Sequence, residues 1–135
     1  MLQIDMNDRL QGRTEVRAGA HDAAQEVERP FVGGARDAGA EVTLIDLRDY
    51  SMPLYNGDLE ESHGLPEAAV RMKALFKSHH GLLIASPEYN GSITPLLKNT
   101  LDWVSRPHGE ESGLAPYEGR LAALIAAQGG TMVRF

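Results

Sequence analysis

The chain of 135 residues has no cysteine, so neither a disulfide framework nor a dithiol pair is open to it, and any redox chemistry must belong to a bound group. Cations are in deficit. The 13 Lys and Arg against 19 Asp and Glu leave a net charge of −6, which argues against a nucleic-acid surface or an anionic membrane as partner. Long apolar runs are missing too: no stretch could span a bilayer, and the start is not the basic-then-apolar pattern of a signal peptide. No membrane association and a cytoplasmic location are therefore expected. Repeats and low-complexity tracts are absent, and one domain over residues 1–135 is the expectation. What is present, 42% hydrophobic and 24% charged residues, is the composition of a soluble globular protein.

The most informative stretch covers residues 81–107, GLLIASPEYNGSITPLLKNTLDWVSRP. Leu82, Leu83, Ile84 and Ala85, closed by Ser86 and Pro87, have the pattern of a strand buried on both faces of a parallel sheet. Pro87, Asn90, Gly91 and Ser92 supply turn chemistry, because Asn and Gly tolerate positive φ and Pro fixes the chain just past a strand. Thr94 before Pro95 predicts an N-cap followed by proline at the first helical position. Ile93, Leu97, Leu101 and Val104 then recur on one helix face until Pro107 stops the run. A strand, a polar turn and a helix start form a ligand site of a recognisable physical type, since unpaired backbone N–H groups collect at the carboxyl ends of parallel strands.

The run Ser86-Pro87-Glu88-Tyr89-Asn90-Gly91-Ser92, followed by Leu97-Lys98-Asn99 and Leu101-Asp102-Trp103, resembles the NAD(P)H-dependent FMN reductase family, which includes quinone, chromate and azo-dye reductases. The phrases AGAEVTLIDL and PLYNGDLE resemble that family's second strand and the loop after it. The resemblance implies an α/β, flavodoxin-like three-layer fold with a parallel sheet of order 2-1-3-4-5. It also implies FMN held by Pro87, Glu88, Tyr89, Asn90, Gly91 and Ser92, with NAD(P)H as reductant and a small electron acceptor such as a quinone. Gln128-Gly129-Gly130 is similar to the family's glycine loop after the fourth strand, where Gly129 and Gly130 let backbone approach the flavin. The helix bearing Lys98 and Asp102 is implied to join two subunits into a homodimer.

Other parts of the chain fit this frame less well. Leu2, Ile4 and Met6 alternate with Gln3 and Asp5, a half-exposed pattern and a weak first strand for the middle of a sheet. Around residues 15–22, where the resemblance places a phosphate loop, Arg17 and Gly19 match, while Glu15, Ala20 and Asp22 stand where hydroxyl or amide groups are expected. A carboxylate at about 4 Å from a phosphate costs a few kcal/mol at an effective dielectric near 20. A helix is predicted over residues 22–37, with Val27, Phe31 and Ala35 among its core residues and a kink or split at Pro30 near residue 29. A strand is predicted over residues 41–47, loop over 48–66, a helix over 65–77, polar loop over 108–118 and a buried strand over 121–126. A family member would continue through a fifth strand and helix, so an exposed or partner-covered sheet edge is expected.

Single residues leave alternatives open. Glu88 is either a cofactor contact or a side chain that fixes the loop by hydrogen bonds. Tyr89 either flanks the ring or nicotinamide or lies exposed, while backbone N–H groups of the turn are the expected ring donors. Trp103 reads as a core or interface anchor. His79-His80 reads as capping or solvated residues, with no metal site expected. Two functions follow: an FMN-dependent NAD(P)H oxidoreductase, or a catalytically impaired, truncated relative acting as an interaction module or a decayed gene product.

Overall fold

The structure, a computed structural model, describes residues 2–5 and 22–127. Its strands are β1 (Leu2–Asp5), β2 (Glu41–Leu44), β3 (Gly81–Pro87) and β4 (Leu121–Ala127). Its helices are α1 (Asp22–Asp37), α2 (Gly57–His63), α3 (Glu67–Lys77) and α4 (Pro95–Val104), with a 3-10 turn at Leu47–Tyr50. The sheet order is β2-β1-β3-β4, the order of the first four strands of a flavodoxin-like sheet. β3 and β4 are parallel, in register from Gly81↔Leu121 to Pro87↔Ala127. β1 departs from the parallel expectation: it runs antiparallel to both β2 and β3, reaching only Gly81 to Leu83 of the latter. An antiparallel ladder satisfies the same edge groups and is slightly the more stable per residue. Since β2 and β3 both oppose β1, β2, β3 and β4 share one direction and their carboxyl ends emerge on one side.

Three layers follow from the alternation of β3. Leu83 turns to one face and packs with Val32 of α1 and Val42 of β2, joined by Ala35, Leu44 and Ile125. Leu82 turns to the other and joins Ile45, Leu47, Met72, Phe76, Leu97 and Val104, so that α3 and α4 cover that face. Arg120, just before β4, spans this layer: its guanidinium donates to the carbonyls of Phe76, Lys77 and His79 at 2.6, 2.7 and 2.9 Å. It also donates to those of Ala115 and Glu118 at 3.2 and 2.7 Å. Lys73 is buried and donates to the Val104 and Arg106 carbonyls at 3.1 and 2.8 Å, tying α3 to the end of α4.

Several expectations need correction. α1 continues through Pro30 without a split; Pro30 is exposed, so water can serve the carbonyl that loses its donor. Phe31 is 49% exposed and it is Val32 that enters the core. β2 stops at Leu44 because Asp46 caps the 3-10 turn by accepting from Arg48 N–H. The predicted loop at 48–66 contains α2, capped by Asn56 accepting from Asp58 N–H at 2.8 Å. β4 is a strand but not a fully buried one: Ile125 packs with Val32 on the α1 face, yet Leu121 is 75% and Leu124 59% exposed, because β4 is the last strand among the described residues and is only partly covered.

Candidate functional site

β3 lies between β1 and β4, and its carboxyl end leads into the turn. Leu121 N–H donates to His80 O, so the parallel ladder takes the even-numbered N–H groups of β3 and the odd positions face β1. The described pairing of β3 with β1 stops at Leu83, so among the described residues Pro87 forfeits no ladder bond by lacking an N–H. Beyond it, Tyr89 N–H donates to Ser92 O at 2.9 Å and Ser92 N–H to Tyr89 O at 3.1 Å. With Asn90 at φ 53° and Gly91 at φ 77°, residues 89–92 form a type I′ hairpin turn, for which Asn-Gly is the favoured pair. Tyr89 is 47% exposed, and Asn90, Gly91 and Ser92 are exposed beside it.

The donors of this turn are fewer than the sequence suggested. Tyr89 and Ser92 N–H close the hairpin, and Gly91 N–H donates to Glu88 Oε1 at 2.9 Å. The Asn90 N–H at the tip has no partner among the described residues. A side chain at Gly91 would meet nothing within 4 Å. An unpaired backbone amide, the Asn90 carboxamide and an exposed phenol, with open space beside a glycine, suit the edge of a planar heterocycle, so the residues present fit a flavin ring. Arg17, Gly129 and Gly130 lie outside the described residues, as do Glu15 and Ala20; β4 ends at Ala127, paired with Pro87.

α4 starts beside the turn. Thr94 has extended φ and ψ and its Oγ1 accepts from Leu97 N–H at 3.2 Å, with Pro95 at the first helical position, as predicted. Leu97, Thr100, Trp103 and Val104 are buried, and Trp103 is fully so. Trp103 is thus a core residue: its Nε1 donates to Pro53 O at 2.8 Å and its ring meets Tyr55 edge-on at 5.0 Å. Asn99, whose role no local pattern reveals, acts as a clamp. Its Oδ1 accepts from Tyr55 N–H at 2.8 Å and its Nδ2 donates to Pro53 O at 3.0 Å, fixing the segment after β2 along α4. Tyr55 OH donates to Glu60, which also accepts from Arg106 Nε at 2.8 and 2.9 Å. The Arg106 guanidinium holds the Glu60 carboxyl below its ordinary range. Lys98 and Asp102 pair on the exposed face at 2.5 Å. His79 is engaged within the fold, its Nδ1 donating to Leu75 O at 2.8 Å and its Nε2 meeting Thr43 Oγ1 at 2.5 Å.

A sheet whose same-direction strands end in a polar turn and a helix start defines an α/β protein with its ligand site outside the carboxyl ends of the strands. Residues 17–133 match the family described as NADPH-dependent FMN reductase, and the chain belongs to that family. It is similar to an NAD(P)H-dependent FMN reductase of Pseudomonas aeruginosa, 34% identical over 115 residues, which cover 85% of this chain and 56% of that protein. A probable NADPH:quinone oxidoreductase of Oryza sativa is 39% identical over 93 residues, 69% of this chain and 42% of its own. An NAD(P)H:quinone oxidoreductase of Solanum tuberosum is 32% identical over 112 residues, 83% and 51% respectively. The chain spans about half the length of the curated relatives it matches. Among the described residues, no helix is long and apolar enough to cross a membrane.

Proposed function

We infer that the chain forms the ring-binding part of an FMN-dependent NAD(P)H oxidoreductase that passes electrons to a small acceptor such as a quinone. The observation that carries this reading is the type I′ turn at the end of interior strand β3, with the Asn90 N–H without a partner among the described residues. The names of the relatives, FMN reductase and quinone oxidoreductases, support it. When bound, FMN supplies the redox chemistry, taking a hydride from NAD(P)H and giving two electrons to the acceptor. Pro87, Glu88, Tyr89, Asn90, Gly91 and Ser92 position the ring. Asn90 N–H donates to its edge, the bare Gly91 permits close approach, and Tyr89 covers exposed ring surface. Arg17 belongs to the same proposal as the phosphate partner, and Gly129 and Gly130 as a second approach to the ring.

A homodimer through α4 is also proposed. Lys98 and Asp102 stand one turn apart on its exposed face, and such a pair is complementary to its own copy across a two-fold axis. A cytoplasmic location accompanies NAD(P)H as reductant. Titration with FMN, followed by quenching of flavin fluorescence, tests the central reading: saturable binding is expected, and a protein that stays colourless with unquenched flavin overturns it. A second reading, an interaction module without catalysis, is favoured by the exposed Leu121 and Leu124 of β4. It requires self-association or partner capture by a chain that binds no FMN.

A further inference from the structure

The hairpin at residues 89–92 has a tie that its turn type does not require. A type I′ turn is closed by two main-chain bonds between its flanking residues, and both are present. The third bond comes from outside the turn: Glu88 Oε1 accepts from Gly91 N–H at 2.9 Å. Among the described residues no lysine or arginine pairs with Glu88, so this amide is what its carboxylate engages. The bond is solvent-exposed, but its acceptor is an ionised carboxylate, which makes it stronger than a bond between neutral groups.

Gly91 needs such a tie. Glycine populates both signs of φ, and here nothing lies within 4 Å of where its side chain would be, so neither sterics nor packing fixes the orientation of its N–H. The Asn90–Gly91 peptide is the central peptide of the turn, and the Glu88 bond closes a ring over Tyr89 and Asn90, so it restrains this peptide together with the Tyr89–Asn90 peptide that carries the Asn90 N–H. With Gly91 N–H directed at Glu88, Asn90 N–H is the hairpin amide that stays without a partner among the described residues.

We propose that Glu88 is a positioning residue for ring binding: by accepting from Gly91 N–H it holds the backbone between residues 88 and 91, so that the Asn90 N–H, carried by the Tyr89–Asn90 peptide, is in place before a planar heterocycle docks. The proposal rests on the flavin reading above. Its energetic content is pre-organisation, since a turn already set loses less freedom when the ligand arrives. The acceptor is a single oxygen at a fixed reach. Glutamine keeps that oxygen, leucine removes it, and aspartate withdraws it by one methylene.

The test uses the full chain with FMN as the probe, reading affinity by fluorescence quenching and the Gly91 amide by the temperature coefficient of its NMR resonance. Glu88→Gln should keep a hydrogen-bonded Gly91 amide and bind FMN within about threefold of the unaltered chain. Glu88→Leu and Glu88→Asp should lose the amide signature and bind about tenfold more weakly, as expected for one charge-assisted bond. Rescue by glutamine separates an acceptor role from mere bulk, and the aspartate variant carries the test if the leucine variant folds poorly. Equal FMN affinity in all variants while the unaltered chain binds overturns the positioning role alone. No binding by the unaltered chain, with its Gly91 amide still bonded, overturns the flavin reading and this role with it.

Discussion

Gly113 and Gly91 fail to tolerate a side chain for opposite reasons. A Cβ on Gly113 would overlap the Ser105 carbonyl, main chain that cannot swing aside. Gly113→Ala should therefore cost about 1–3 kcal/mol as overpacking, read as a fall in the urea midpoint. Gly91 has open space but φ +77°, so Gly91→Ala should cost about 1–2 kcal/mol through backbone strain and weaken FMN binding in the same titration. Glu60 offers a pH test. Arg106 lowers its folded carboxyl below the ordinary 4.5, so its stabilisation is present above about that pH and is lost as pH falls through the lower folded value. In Glu60→Gln the urea midpoint should be lower near neutrality and decline less steeply in acid, converging with the unaltered chain at low pH. At this scale the sequence showed the Asn90-Gly91 turn, because its preference is local. It could not show that Gly91 N–H is taken by Glu88, which depends on where a side-chain oxygen ends up.

The elements divide along the same line. β3 and α4 were readable because each is specified by adjacent residues: an apolar run closed by Ser86-Pro87, and Thr94-Pro95 ahead of a helix face. Thr94→Ala should remove the cap of α4 and cost about 1 kcal/mol, measured by urea unfolding. α2 was missed because Asn56-Gly57 is as good a turn signal as it is a helix start, and only the Asn56 bond to Asp58 N–H decides between them. β2 is shorter than its apolar pattern suggests for a related reason, since Asp46 has the look of a polar strand end but caps the 3-10 turn. The Asn99 clamp joins segments far apart in sequence, so no local pattern announces it.

For the whole molecule, the order of the sheet was legible from the family phrases, whereas the direction of β1 and the exposure of β4 were not. An apolar run such as residues 121–126 looks the same whether helices cover it or solvent does, because burial is set by what packs over it. Leu124 projects to the α3 and α4 side, in line with Ile84, yet is 59% exposed at the sheet edge. Leu124→Lys should leave the unfolding free energy from urea titration within about 0.5 kcal/mol and reduce light scattering at high concentration, as a charge does on an apolar edge.

The fork of Arg120 has a consequence for how this chain can change over time. Its five acceptors among the described residues are all peptide oxygens, which every amino acid possesses. Neighbouring positions 76, 77, 79, 115 and 118 can therefore drift in identity without disturbing the junction, whereas a lysine at 120 offers no planar fan of donors to replace it. A saturation scan would show one intolerant column amid partners whose own letters, as far as this junction goes, are free.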